Sequence, residues 1–181
     1  ILLDGITNNP EQLVSQLPLL TEREIKQLQD WNQTEAEYPK DKTIVDLFEE
    51  QAEKTPENIA VAFDDRQLTY RELNRKANQL AHYLLSLKSN TDNSSLITGN
   101  CLVGICVERS LEMVIGLLGI LKVGGAYVPI DPEYPEYRIQ FMLEDSKVEA
   151  LLTQNHFLEE LPDGQAKVVC IDSEWGNITH Y

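Results

Sequence analysis

Basic residues and cysteines are scarce in this chain of 181 residues. It carries 15 lysines and arginines against 30 aspartates and glutamates, which gives a formal net charge of −15. Nucleic acids and anionic membrane surfaces both require a basic footprint on the protein, so we expect neither as a partner. The 3 cysteines form no C-x-x-C pair, and an odd number at wide spacing argues against a disulfide framework or a zinc site.

Long apolar runs are also missing. No stretch approaches the ~20 apolar residues of a membrane helix, and the residues after Ile1 lack the basic region and cleavage site of a signal peptide. Because a chain without a disulfide framework suits a reducing compartment, we expect a cytoplasmic protein. What the chain does contain is 42% hydrophobic and 25% charged residues, the composition of an ordinary globular domain.

The most informative stretch predicts a helix, a glycine turn and a strand in succession. Leu111 to Lys122 is apolar almost all round, which predicts a buried helix, and Ser110 suits its N-cap. Gly124-Gly125 is expected to end that helix. Ala126 to Ile130 predicts a short buried strand, which Pro129 places at the edge of a sheet or at a strand end.

Further elements alternate along the chain. Five further helices are predicted: one that ends near Asn32, one from Thr43 to Thr55, one that follows the Thr69–Glu72 capping box, and two at Tyr137–Leu143 and Asn155–Leu161. Five strands are predicted at Ile59–Phe63, Leu68–Tyr70, Leu102–Val107, Ala150–Thr153 and Val168–Ile171. The polar residues 88–100 predict an exposed, mobile loop, and 173–181 shows no clear element. This alternation predicts an α/β fold with a mostly parallel sheet covered by helices.

The chain begins with a segment of different character. Residues 1–34 predict a short helical leader, in which Thr21 and Glu24 form a capping box. Residues 35–42 are polar and contain Pro39, which is typical of a linker. We therefore assign 43–181 to a separate main domain.

No residue is put forward as catalytic, cofactor-binding or metal-binding. Gly124-Gly125 follows a helix and precedes a strand, whereas a phosphate cradle precedes the helix that binds the anion. Arg109 lies beside Glu108 just before a helix, which favours an ion pair or a capping role over phosphate contact. No histidine has a nucleophile or a metal ligand at a meaningful spacing; the three are His82, His156 and His180.

Four stretches together resemble the adenylation domain of nonribosomal peptide synthetases. Leu68–Leu73 is similar to the first core motif of that family, and Leu121–Asp131 is similar to the second almost residue for residue. Val103–Ser110 lies between them and Phe141–Ser146 after them, and both also fit. The order and spacing of the four make the combination specific, and the resemblance covers about 42–172.

The resemblance implies an ATP-dependent ligase. Such enzymes use ATP and Mg²⁺ to convert an amino acid to an aminoacyl adenylate, then transfer it to a phosphopantetheine thiol on a downstream carrier domain. Residues 1–34 resemble the tail of a preceding condensation domain. The implied partners are therefore the condensation domain, the rest of the adenylation domain and the carrier domain.

The third core motif of the family, a Ser/Thr/Gly-rich phosphate loop ending in lysine, is not found; it should follow shortly after residue 181. We therefore expect an N-terminal part of the adenylation domain, inactive alone and binding no cofactor by itself. Tyr137 also stands where the family commonly has glutamate. Two alternatives stay open: a non-catalytic or split-protein interaction module, and part of a related enzyme that activates fatty or aryl acids.

Overall fold

The chain forms two compact units. The structure, a computed structural model, describes residues 1–87, 101–164 and 166–181, so the loop predicted at 88–100 lies outside the described residues. The first unit is Ile1–Asp41 and the second is Lys42–Tyr181. The division falls within the predicted linker, whereas the assignment of each unit to a domain stays a prediction.

The first unit contains two α-helices, α1 at Leu2–Asn8 and α2 at Glu22–Trp31, and a short 3₁₀ helix at Val14–Gln16. The predicted capping box begins α2. The N–H of Glu24 donates to the Thr21 hydroxyl at 3.1 Å, and the N–H of Thr21 donates to the Glu24 carboxylate at 2.8 Å. The bond from the Thr21 N–H is the main reason that the pKa of Glu24 lies below its usual value. α1 has no side-chain cap, and sequence patterns therefore miss it.

The second unit opens with a helix, a hairpin and a long helix. These are α3 at Ile44–Lys54, β1 at Ile59–Phe63, β2 at Arg66–Thr69 and α4 at Tyr70–Ser86. β1 and β2 pair antiparallel. A second and a third capping box begin α3 and α4. β2 ends at Thr69, one residue earlier than predicted, because Thr69 already caps α4.

A parallel sheet of four strands forms the rest of the unit, in the order β4-β3-β5-β6. The elements follow one another as β3 Leu102–Cys106, α5 Leu111–Lys122, β4 Ala126–Pro129, α6 Glu136–Ser146, β5 Ala150–Thr153, β6 Lys167–Cys170 and α7 Trp175–Ile178. Both neighbours of β3 run parallel to it. The predicted α/β class is confirmed.

Helices cover both faces of the sheet. On one face Val103, Ile105 and Leu152 pack against buried residues of α4 and α5. On the other face Cys106 and Leu151 pack against α6. Side chains alternate between the faces along β3 and β5, and both strands are buried on both sides, as expected for central parallel strands.

α5 confirms the central prediction. It spans Leu111–Lys122, its N-cap Ser110 accepts a hydrogen bond from the N–H of Met113, and none of its residues is exposed. The left-handed turn after the helix falls on Gly124, whose φ is 78°. A Cβ at Gly119 would lie 2.8 Å from Leu80, so α4 and α5 approach each other closely there.

Three expectations were wrong in detail. β4 is mostly exposed rather than buried, since it is an edge strand; Tyr127 keeps 43% of its surface exposed. The helix predicted over Asn155–Leu161 is only a 3₁₀ turn at Asn155–Phe157. The stretch 173–181 contains α7, whose Ile178 is completely buried in the core that α4 and α5 share.

α7 closes the core against α4. The Tyr83 hydroxyl donates to Glu174 at 3.2 Å, the Lys76 ammonium lies 4.3 Å from the centre of the Trp175 ring, and the Tyr83 ring meets that of Tyr181 edge to face. These contacts join residues that are 91 to 99 positions apart. No helix within the described ranges has the length and apolarity needed to cross a bilayer.

Candidate functional site

The order of the strands points to one edge of the sheet. β3 leads through α5 to β4 on one side, whereas the adjacent strand β5 leads to β6 on the other side. The connections therefore diverge between β3 and β5. In open α/β sheets, ligands bind outside the carboxyl ends of the strands at such a switch point. We take the carboxyl edge of the sheet as the candidate site.

An open crevice of about 870 Å³ lies along this edge. Its walls come from the segments that follow β3, β4 and β5, with one side chain from α5. The lining residues are Val107, Glu108, Arg109, Met113, Pro129, Ile130, Asp131, Pro132, Glu133, Tyr134, Phe157 and Glu160. Three different connections therefore build one concave surface.

Two buried polar side chains join the ends of the strands from which the crevice is built. The hydroxyl of Thr153, which has no exposed surface, donates to the carbonyl of Cys106 at 2.9 Å. The side-chain oxygen of Gln154 accepts from the N–H of Glu108 at 2.9 Å. Both bonds tie the end of β5 to the end of β3, so they hold the switch point in one geometry.

The rim of the crevice is polar and exposed. His156 lies 3.5 Å from the carboxylate of Glu108, and both side chains are more than half exposed. A contact so exposed contributes little to stability, even as a full ion pair. Asp131 accepts from the N–H of Glu133 at 3.0 Å, which fixes the turn after β4. The rim is therefore held by exposed contacts, whereas the strand ends are joined by buried ones.

The charge of the crevice does not suit a triphosphate. Its lining contains four carboxylates and one guanidinium, that of Arg109. Contrary to the sequence prediction, Arg109 neither caps α5 nor forms an ion pair within the described residues; it is exposed. The described residues also contain no group of three metal-ligating side chains. The residues that line the crevice therefore do not fit a triphosphate by themselves.

Cys106 lies beneath the crevice and is not a nucleophile. Burial raises the pKa of its thiol to about 11, and the carboxylates of Asp131 and Glu160 add to this effect. Since the thiolate is the reactive form, the thiol stays protonated at neutral pH. All three cysteines are buried and form no disulfide, which agrees with their expected role as small hydrophobes.

A second groove of about 730 Å³ lies on α4. Six polar residues of that helix line it, together with residues of α3 and the ring of Tyr181; the six are Arg71, Asn74, Arg75, Asn78, Gln79 and His82. Arg71 forms an ion pair with Glu57, and Glu53 also lines the groove, so the charges are mixed. A mixed groove of this kind favours no particular ligand.

The structure separates the residues that the sequence singled out. His82 lies on the α4 groove, His156 on the rim of the crevice and His180 on the exposed tail after α7. Gly124-Gly125 lies between α5 and β4, as predicted. Sequence reasoning missed Thr153 and Gln154. Their signal was two polar residues at the carboxyl end of an apolar strand.

Comparisons with known proteins agree on one family. The AMP-binding enzyme family model matches residues 48–178. The chain is 46% identical over 179 residues to gramicidin S synthase 2 of Brevibacillus brevis, covering 98% of this chain and 4% of that protein. It is 49% identical over 154 residues to tyrocidine synthase 2 of Brevibacillus parabrevis, covering 84% of this chain and 4% of that protein.

A solved structure is also similar. It is the N-terminal subdomain of NpsA from Klebsiella oxytoca in complex with 3-hydroxybenzoyl-AMSN, with a TM-score of 0.65 and 28% identity over 77% of this chain and 33% of that chain. The predicted resemblance to synthetase adenylation domains is therefore confirmed. The chain spans only 4% of the length of each of the two synthetases.

Proposed function

This chain belongs to the AMP-binding enzyme family, and we propose that it forms the first part of an amino-acid-activating adenylation domain in a nonribosomal peptide synthetase. The observation that carries this proposal is the 46% identity to a peptide synthetase across 98% of the chain. A match of that extent takes in both motif-like stretches and almost all of the first unit. The whole activity therefore belongs to a larger protein.

In the proposed reaction, a carboxylate oxygen of the amino acid attacks the α-phosphorus of ATP. The bond to the β-phosphate bridging oxygen breaks, pyrophosphate leaves, and an aminoacyl adenylate forms. A phosphopantetheine thiol then attacks the acyl carbon, and AMP leaves. Both steps develop negative charge, which fixed donors or a metal ion must stabilise. ATP would thus be a substrate of the complete domain, and Mg²⁺ would stabilise the charge that develops on its phosphates.

We assign a scaffolding role to the residues of this chain. The acidic crevice does not fit a triphosphate, so the groups that bind phosphate come from elsewhere in the synthetase. Thr153 and Gln154 hold the carboxyl ends of β3 and β5 together. That edge is where a further parallel strand of the same sheet would also deliver its following loop.

The first unit supports a second part of the proposal. We propose that residues 1–34 are the end of a condensation domain and that 35–42 link it to the adenylation domain at 43–181. The helices of this unit have no buried residue, as expected for elements that pack on a larger body. The condensation and carrier domains would then be partners within one polypeptide.

One alternative keeps a specific observation in its favour. The similar NpsA subdomain was solved with a 3-hydroxybenzoyl ligand rather than an amino-acid ligand. An aryl acid would enter the same reaction through its carboxylate. The higher identity to the two peptide synthetases, 46% and 49% against 28%, favours an amino acid.

The test is a graft. Residues 42–181 would replace the matching segment in an adenylation domain of tyrocidine synthase 2, and ATP–pyrophosphate exchange would be measured with amino acids and with aryl acids. We expect exchange that depends on an amino acid. Residues 1–181 alone should give none, because the phosphate-binding groups are supplied by the recipient.

Two results would contradict the proposal. A graft that unfolds cooperatively but exchanges no pyrophosphate with any amino acid would show that this segment does not serve an adenylation domain. Exchange by residues 1–181 alone would show that the acidic crevice does bind ATP. Cooperative thermal unfolding of the graft separates loss of function from loss of the fold.

A further inference from the structure

Gln154 is a buried amide that holds the backbone of another segment. Only 8% of its surface is exposed, and its side-chain oxygen accepts from the N–H of Glu108 at 2.9 Å. Glu108 lies two residues beyond the end of β3, so this bond falls outside the strand pairing. Gln154 therefore holds the connection that follows the strand, not the strand itself.

The preceding residue, Thr153, holds the strand instead. Its hydroxyl donates to the carbonyl of Cys106 at 2.9 Å, and Cys106 is the last residue of β3 and already pairs with Thr153 in the sheet. The hydroxyl therefore reinforces a pairing that the backbone makes in any case. Two neighbouring buried side chains thus hold two different parts of the chain.

The segment that Gln154 holds is short and lines the crevice. It consists of Val107, Glu108 and Arg109, between the end of β3 and Ser110, the N-cap of α5. All three residues of the segment line the crevice. The strand and the helix fix its two ends, and the buried amide fixes its middle. A side chain on such a backbone has a defined starting point, which a reacting site requires.

Arg109 is the residue of this segment whose charge suits the proposed reaction. It is the only cation among the residues that line the crevice, and within the described ranges it is exposed and forms no ion pair. Two of the four carboxylates are engaged: Glu108 contacts His156, and Asp131 accepts from a backbone N–H. One guanidinium does not suit a bound triphosphate, but it suits a single charge that develops during a reaction.

Resting on the function proposed above, we propose that Gln154 is a positioning residue of the adenylation reaction. It acts through the N–H of Glu108 to hold Arg109 at the carboxyl edge of the sheet. There the guanidinium meets the negative charge that develops as the carboxylate of the acid attacks and pyrophosphate leaves. A donor that acts only in the transition state raises kcat and leaves KM unchanged.

A purely structural role of Gln154 predicts a different result. Loss of a buried hydrogen bond lowers the free energy of unfolding wherever the bond lies. Activity then falls only because less of the enzyme is folded, and this loss does not depend on Arg109. The kinetic constants of the folded enzyme and their dependence on Arg109 therefore distinguish the two roles.

The first experiment uses the graft of residues 42–181 described above. Gln154→Leu and Arg109→Ala are made singly, and pyrophosphate exchange is measured well below the thermal midpoint of each variant. We expect each variant to lower the maximal rate about tenfold and to leave the apparent KM for ATP and for the amino acid within about twofold. Gln154→Met, which keeps the length of the side chain, replaces the leucine variant if that variant does not fold. An undiminished maximal rate in either variant, or a loss confined to KM, overturns the proposal.

The double variant tests whether Gln154 acts through Arg109. Independent residues would multiply their losses to about a hundredfold. If Gln154 acts through Arg109, the double variant should lose only about tenfold, because no guanidinium is left to position. A loss near a hundredfold would contradict the proposed coupling.

Thr153→Val is the matched control. It removes the other buried bond between β5 and β3 with little change of shape, so it should lower the thermal midpoint about as much as Gln154→Leu. Its effect on the maximal rate should multiply with that of Arg109→Ala, since its bond ends on Cys106 within the strand. Coupling of Thr153 to Arg109 as strong as that of Gln154 would refute a specific positioning role.

Two results separate the positioning role from the proposed function. An active graft in which Gln154→Leu behaves like Thr153→Val refutes the positioning role alone. A graft that unfolds cooperatively but exchanges pyrophosphate with no amino acid refutes the proposed function, and the positioning role with it.

Discussion

Lys122 shows how one charge is held near the end of α5. Only 5% of its side chain is exposed, and its ammonium group pairs with Glu49 of α3 and lies 5.9 Å from the centre of the Phe48 ring. A buried charge is costly unless it is paired. Glu49 therefore contributes more to the stability of the fold than an ordinary surface carboxylate, although nearly half of its own side chain is exposed.

Removing Glu49 should leave the Lys122 ammonium without its carboxylate. We expect Glu49→Ala to lower the free energy of unfolding by about 1–3 kcal/mol. Glu50→Ala is the matched control, because Glu50 is similarly exposed but pairs with the more exposed Lys42 and Lys54; its cost should be about 0–1 kcal/mol. Urea unfolding of both variants measures the difference, and equal losses would contradict this account.

At the scale of elements, the packing of α4 on α5 depends on a missing side chain. A Cβ at Gly119 would lie 2.8, 3.0 and 3.2 Å from three atoms of Leu80. Leu80 is completely buried, so it has little room to move. The two helices therefore need glycine at this position even though glycine lowers helix propensity.

We expect Gly119→Ala to destabilise the chain by about 1–3 kcal/mol through overpacking, despite the better helix propensity of alanine. Gly176→Ala is the control, since nothing lies within 4 Å of a Cβ built there in α7. That variant should be neutral or more stable by up to about 1 kcal/mol. Thermal and urea unfolding compare the two, and a stabilising Gly119→Ala would refute the close approach.

Elements with local signals could be predicted from the sequence, and elements that depend on tertiary contacts could not. Ser110 and Gly124 mark both ends of α5, so its bounds were predicted correctly. The exposure of β4 depends on its place at the edge of the sheet, which an apolar run does not reveal. α7 has four residues, and it is held by the burial of Ile178 rather than by propensity.

The candidate site could not be predicted from the sequence for the same reason, since it also depends on tertiary contacts. The crevice exists because β3 lies between β4 and β5, and no local sequence pattern predicts the order of the strands in the sheet. Thr153 and Gln154, which join the ends of β5 and β3, each bond to a residue more than forty positions earlier. The sequence alone could indicate the family through its motifs, but not which side chains would meet.

At the scale of the whole molecule, the core belongs to the second unit. Among the described residues, every buried hydrophobic side chain lies between Ala52 and Ile178. Deletion of residues 1–41 therefore removes no residue of the core. The second unit therefore contains the whole of the buried core that the described residues form.

We expect residues 42–181 alone to unfold cooperatively, with a thermal midpoint within about 2 °C of that of the full chain, which corresponds to less than about 1 kcal/mol. Calorimetry of both chains measures this. A large fall in the midpoint would show that the first unit contributes to the core domain, and the predicted linker at 35–42 would then be wrong.

The closure of the core by α7 has a consequence for the order of events during synthesis. Tyr83 and Glu174 are 91 positions apart, and a ribosome adds roughly 5–20 residues per second. α4 therefore leaves the ribosome roughly 5–20 seconds before the segment that covers it. During that interval the side of α4 that carries Lys76 and Tyr83 lacks the cover that α7 later gives it, and this side is open to chaperones that bind nascent chains.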